Sequence, residues 1–161
     1  MKDVITNLTI TPDVTLITLA NAPSDAIIIS KIFNALGEKL NIDMISMTPP
    51  YKESISISFT IHDEDLNEAI KIINELKQKY IENLRLDVNS TNSKISLYGD
   101  AMKHTPGVFA KTLDLLSEEE IEIKLITTSE VDISYLIFAS DETRVVDTIL
   151  NYFDHVEVTV E

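Results

Sequence analysis

The sequence predicts an α+β fold built from two similar βαββαβ units in tandem, and two observations carry that prediction. Strand-like and helix-like periodicities follow one another in the same order twice along the chain. Short stretches of the two halves also correspond at nearly constant spacing. Lys31-Ile32-Phe33-Asn34-Ala35-Leu36 matches Lys111-Thr112-Leu113-Asp114-Leu115-Leu116 at an offset of 80, and Ile42-Asp43-Met44-Ile45 matches Ile123-Lys124-Leu125-Ile126 at 81. Ile57-Ser58-Phe59 matches Ile133-Ser134-Tyr135 at 76, the shortfall falling at a Pro49-Pro50 turn found only in the first copy. Each copy is expected to form a ferredoxin-like unit, an antiparallel four-stranded sheet with two helices on one face. A chain of 161 residues, 44% apolar, is long enough for two small cores.

Taken in order, residues 4–10 are β-branched and end at Pro12-Asp13, which predicts a short strand and a turn. Val14 to Ala20 is the next strand and residues 21–25 a loop. Ile29, Ile32, Phe33, Leu36 and Leu40 keep helical spacing, with Gly37 as a stop signal. Ile42 to Met47 is a strand, and residues 48–53 form a turn because two prolines exclude a central strand. Ser54 to Ile61 alternates strictly, with Ile55, Ile57, Phe59 and Ile61 on one side, so this strand has one dry face. Asp63-Glu64-Asp65 leads into a helix with Leu66, Ala69, Ile70, Ile73, Leu76 and Tyr80 inward. A strand from Leu84 to Val88 follows.

Asn89-Ser90-Thr91-Asn92-Ser93 has the composition of a linker, and the boundary between the copies is placed there. Beyond it the predicted order is strand 94–99, helix 108–119, strand 121–127, strand 132–139 and helix 141–153. That last helix turns Val146, Ile149, Leu150 and Phe153 inward, and 156–160 is an alternating closing strand.

Composition excludes several functions. The net charge of −14 is divided as −5 over residues 1–90 and −9 over 91–161, which opposes binding to nucleic acid or to an anionic membrane. There is no cysteine, and His62, His104 and His155 lack metal-ligand spacing. Glu118, Glu119, Glu120 and Glu122 read as a solvated helix end, so no metal is assigned. With Gly37, Gly99 and Gly107 as the only glycines, neither a dinucleotide fingerprint nor a P-loop can be written. No catalytic constellation is expected in this chain. Without a signal-like or membrane-spanning run, the expected location is the cytoplasm.

One stretch suggests binding. Lys103-His104-Thr105-Pro106-Gly107 opens on a helix at Val108, and a strand returns to Thr127-Thr128-Ser129-Glu130. A helix N-terminus has unpaired N–H groups and a partial positive charge, suited to a carboxylate, while the strand end supplies hydroxyls and a carboxylate for a ligand's other end. A free amino acid satisfies both requirements. The alternative, an empty helix start, stays open on geometry alone.

These residues also carry a resemblance. Gly99 to Val108, Ile126-Thr127-Thr128-Ser129-Glu130 and Asp132-Ile133-Ser134 resemble the second ACT domain of bacterial aspartate kinases, with its pattern GxGMxxxPGV…ISTSE…IS. Lys31 to Leu36, Asn41 to Ile45 and Ile57 to Thr60 resemble the first, and Val4 to Thr9 the strand before it. The resemblance implies ACT domains at 13–90 and 91–161, with strand 4–10 joining the sheet of the second. It implies feedback control by lysine or threonine in aspartate-family amino-acid biosynthesis, and a homodimer formed through the ACT domains. It also implies a separate catalytic domain that would hold ATP and magnesium, leaving this chain without a cofactor.

The effector residues it implies are Met102, Lys103, His104, Pro106, Gly107, Val108, Thr128, Ser129 and Glu130 in the second copy, and Ser24, Asp25, Ala26, Ile27, Ile42 and Asp43 in the first. The first copy departs from the family. Ser24-Asp25-Ala26-Ile27 stands where the family has Asp-Lys-Pro-Gly, Met47-Thr48 replaces Gln-Asn, and in the second copy Ala101 replaces a glycine. The alternative function is therefore a structural dimerisation module whose pockets have decayed.

Overall fold

A computed structural model describes residues 1–161. In chain order the elements are β1 (Asn7–Pro23), α1 (Ala26–Gly37), β2 (Asp43–Met47), β3 (Ser54–His62), α2 (Leu66–Lys79), β4 (Arg85–Tyr98), α3 (Val108–Glu118), β5 (Ile123–Thr128), β6 (Asp132–Phe138), α4 (Glu142–Tyr152) and β7 (Glu157–Val160). Short 3-10 turns precede α2, α3 and α4. The chain divides into two compact units, one of Val14–Ser90 and one of Met1–Asp13 with Thr91–Glu161.

In the Val14–Ser90 unit, β3 lies between β1 and β2 and is antiparallel to both. The alternation of β3 puts Ile55, Ile57, Phe59 and Ile61 into a core completed by Ile17 and Leu19 of β1, Ile32 and Leu36 of α1, and Ala69 and Ile73 of α2. Phe33 meets the Phe59 ring edge-on at 5.8 Å, so the apolar stripe of α1 lies directly on the sheet. Tyr80, predicted inward, is 56% exposed, because α2 ends at Lys79 and the next residue no longer follows its stripe. The Lys31 ammonium sits 4.7 Å from its ring.

In the other unit, β6 lies between β4 and β5, antiparallel to both. Its core joins Ile95 and Leu97 of β4, Val108, Leu115 and Leu116 of α3, Ile133, Tyr135 and Ile137 of β6, and Val145 and Ile149 of α4. Val4, Ile5 and Leu8 from the start of the chain belong to the same core. The inward face of α4 is shifted from the predicted one: Val145, not Val146, is fully buried, and Leu150 is exposed.

Two further readings of the sequence need correction. Residues 4–10 and 14–20 are not separate strands joined by a turn, since β1 runs unbroken through Pro12 and takes a positive φ of 56° at Asp13. Residues 89–93 are not a linker. They are the middle of β4, where Asn92 and Ser93 are fully buried and hydrogen-bonded to Lys124 and Glu142. Polar residues are tolerated inside a strand when each has a partner. The expected closing strand is present as β7, exposed along its length; it runs parallel to residues 7–10 of β1 and adds to the sheet there. No helix is long and apolar enough to cross a membrane.

Candidate functional site

The predicted loop, helix start and strand end come together around one groove of about 600 Å³. Its lining joins Met102, Lys103, Thr105, Gly107, Val108 and Phe109 from one wall to Ile126, Thr128, Ser129, Glu130 and Ile133 from the other. His104 and Pro106 do not line it. The remaining predicted residues of this copy, Met102, Lys103, Gly107, Val108, Thr128, Ser129 and Glu130, all do.

Local chemistry builds the first wall. Gly107 has φ 85°, the left-handed region that side chains resist, and α3 starts at the next residue. With no side chain to turn back as a cap, Gly107 leaves the first amides of α3 uncapped, and Lys111 is the residue whose N–H closes on the Gly107 carbonyl at 2.9 Å. The loop is braced from within, because the Thr105 hydroxyl donates to the Ala101 carbonyl at 2.8 Å.

The second wall is the turn between β5 and β6. The Ser129 N–H donates to the Asp132 carbonyl at 2.8 Å, and the Val131 N–H donates to Ser129 Oγ at 3.3 Å. Glu130 stands exposed at the tip of that turn. Lys103 and Glu130 bring one cation and one anion to the lining.

Thr105, Phe109, Ile126 and Ile133 also line the groove and were not among the effector residues expected from the sequence, although Thr105 belongs to the predicted loop. Phe109 and Ile126 are apolar residues of α3 and β5, a type that fills cores as often as it lines a groove. Phe109 is in fact 40% exposed, with its ring stacked on Tyr135 at 6.5 Å. Tyr135 is wholly buried, and its hydroxyl is paired with Thr112 Oγ1 at 2.7 Å. Burial pushes the Tyr135 phenol above its ordinary value of 10.0, partly offset by that hydrogen bond.

The first copy is arranged differently. Asp25 caps α1 with its own side chain, its carboxylate accepting the Ile27 N–H at 2.8 Å. Ser24 gives its N–H to the Glu53 carbonyl, and Ala26 and Ile27 form the exposed first turn. Ile42 packs against the core of its unit, and Asp43 is aligned with Thr60 across β2 and β3. Thr48 accepts the Ser56 N–H at 2.9 Å and so serves the turn. A larger polar concavity of about 720 Å³ surrounds the end of α2, lined by Lys77, Lys79, Tyr80 and Glu82 among others. None of the predicted residues lies there.

Comparison with known proteins agrees with this reading of the chain as a duplicated regulatory fold. An ACT domain model matches residues 24–76 and 95–153. Aspartokinase 2 of Bacillus subtilis is 28% identical over 142 residues, covering 88% of this chain and 34% of its own length. The Geobacillus stearothermophilus aspartokinase is 34% identical over 110 residues, covering 68% of this chain and 26% of that protein. The chain thus spans about a third of the length of the curated relatives it matches. The ligand-free regulatory subunit of aspartate kinase from Thermus thermophilus superposes with a TM-score of 0.85 at 25% identity, over 94% of this chain and 100% of that one. Matched in both copies of its repeat, and along the whole of a regulatory subunit, the chain belongs to the ACT domain family as a pair of ACT domains like those in the regulatory portion of aspartate kinases.

Proposed function

We propose that this chain is the amino-acid-sensing module of an aspartate kinase, binding free lysine or threonine in the groove between Gly107 and Glu130. The observation that carries the proposal is the pairing of an uncapped helix start at Gly107 with a carboxylate, Glu130, on the facing wall. The amides of Val108 and Phe109 take the ligand's α-carboxylate. Glu130 takes an ammonium, with Thr128 and Ser129 beside it, and the apolar floor of Val108, Ile126 and Ile133 takes the aliphatic part.

The module acts on a separate catalytic domain, which would hold ATP and magnesium, and this chain carries no cofactor of its own. It works in the cytoplasm as a homodimer formed through the ACT domains; the exposed Ile45 and Met47 on β2, an edge strand, support such association. A ligand regulates only if it prefers one arrangement over another. A tenfold response needs about 1.4 kcal/mol of preference, within reach of one or two charge-assisted hydrogen bonds.

Calorimetric titration of the folded chain with lysine, threonine, methionine and isoleucine tests the reading. Heat is expected from lysine or threonine, and a flat response to both overturns it. For the first copy alone, the Asp25 cap favours the second reading, a unit kept for association rather than binding.

A further inference from the structure

Gly99 joins three pieces of one unit that are distant in sequence. Its N–H donates to the Val131 carbonyl at 3.0 Å, which ties it to the wall bearing Ser129 and Glu130. Its carbonyl accepts the Met102 N–H at 3.0 Å, which ties it to the wall bearing Met102 and Lys103. The third piece is the start of the chain. A Cβ on Gly99 would stand 1.8 Å from the Val4 carbonyl oxygen, so the backbone of Val4 lies directly on it. The φ of Gly99 is −173°, extended backbone open to any residue, so the demand at this position is for space alone. One residue earlier, the Tyr98 carbonyl accepts the Thr6 N–H at 2.8 Å.

The segment is firmly seated. Val4 and Ile5 are buried in the same core against which Met102 packs. Its outer side is held as well, the Asp154 N–H donating to the Lys2 carbonyl and the Glu157 N–H to the Thr6 carbonyl, both at 2.9 Å. Both groove walls are thus hydrogen-bonded to Gly99, and the segment is pressed against it.

We propose that residues Val4–Thr6 are the groove's read-out element, coupled through Gly99 to both of its walls, so that occupancy of the groove and the seating of this segment are linked. The proposal deepens the binding reading above, because it takes the groove as the ligand site. By linkage the coupling runs equally in both directions, so it can be observed with no ligand present.

Amide hydrogen exchange on the full chain tests it from both ends. Val4→Ala loosens the segment, and exchange at Gly99, Met102 and Ser129 should then rise at least tenfold more than at Leu116 and Tyr135, which report the core of the unit. In the reverse direction, Thr105→Ala removes the brace of the loop without touching the segment, and the Thr6 amide should quicken by a similar factor. Wall amides that follow the core amides in Val4→Ala, or a Thr6 amide indifferent to Thr105→Ala, would overturn the proposal. Thr105 lies outside the core, so the second arm is readable even if Val4→Ala folds poorly. Because neither arm contains ligand, failure here is distinct from a failure to bind amino acids.

Discussion

The Asp25 carboxylate accepts the backbone N–H of Ile27 at 2.8 Å, so the first helix of the chain is capped by its own side chain. The corresponding helix of the second copy begins at Val108, after Gly107, which makes no side-chain cap. Of these two equivalent helix starts, one is satisfied by a carboxylate and the other has no side-chain cap. Calorimetry should therefore find one amino acid bound per chain. Asp25→Ala should lower stability by about 1 kcal/mol, the usual cost of a lost N-cap, and leave that binding unchanged. Two equivalents of ligand on the unsubstituted chain, or lost binding in Asp25→Ala, would contradict this assignment.

Glu130 provides the more direct test of the groove. It is exposed and lies at the tip of a turn, so Glu130→Gln should leave the melting temperature nearly unchanged. Hydrogen bonds to charged groups contribute about 1.5–3 kcal/mol, so the affinity for lysine or threonine should fall by roughly ten- to a hundredfold. Unchanged affinity in the calorimeter removes Glu130 from the site.

The legibility of the chain varied with how local each signal is. The strict alternation of β3 and the Gly107 helix start depend on neighbours in sequence and were readable. The interior of β4 was not, because Asn92 and Ser93 are satisfied by Lys124 and Glu142, partners some 30 to 50 residues away that no local pattern reveals. Taken alone, an Asn/Ser/Thr run has the composition of a loop. The same reasoning explains the floor of the groove. Phe109, Ile126 and Ile133 are apolar at apolar positions, and only the packed structure separates a residue that lines a cavity from one that fills a core.

Those buried hydroxyls make a prediction of their own. Thr15 is fully buried on β1, where its hydroxyl donates to Asp63 at 2.5 Å and is paired with Ser90 at 3.1 Å. In the other unit, Ser93 on β4 donates to Glu142. Each pair joins a strand to the start of the second helix of its unit. Thr15→Val keeps the shape and removes the donor, so it should cost about 1–3 kcal/mol in urea unfolding, since a hydrogen bond to a charged group is lost. Ser93→Ala should cost a similar amount. A loss below about 0.5 kcal/mol in both would mean that water replaces the hydroxyls and that the pairs contribute little.

Tyr135 contributes to the behaviour of its unit in alkali. Its phenol is raised above the ordinary 10.0 chiefly by burial, with the Thr112 hydrogen bond acting in the opposite direction. A phenol whose pKa is higher folded than unfolded contributes stability that is fully present below about pH 10 and is lost as pH rises through the folded value. Lys124 acts with the other sign. Its desolvation, partly countered by Glu122, lowers its pKa from 10.5, so the folded state gains as pH approaches that value. Comparing Tyr135→Phe with the unsubstituted chain cancels the lysine and isolates the phenol. At neutral pH the substitution should cost about 0.5–1.5 kcal/mol, because Thr112 keeps its bond to the Phe109 carbonyl at 2.9 Å and is not left unpaired. Above pH 10 the difference should shrink, because the phenol ionises in the unfolded chain at its ordinary value while the buried one resists ionisation. Tyr98 serves as the control, since its phenol is raised by Asp100 at the surface, where solvent screens the interaction, and Tyr98→Phe should leave the alkaline limb in place. Urea midpoints measured from pH 7 to 11 decide the matter: parallel curves for Tyr135→Phe and the unsubstituted chain would show that the ring's burial, rather than its ionisation, is all that Tyr135 contributes.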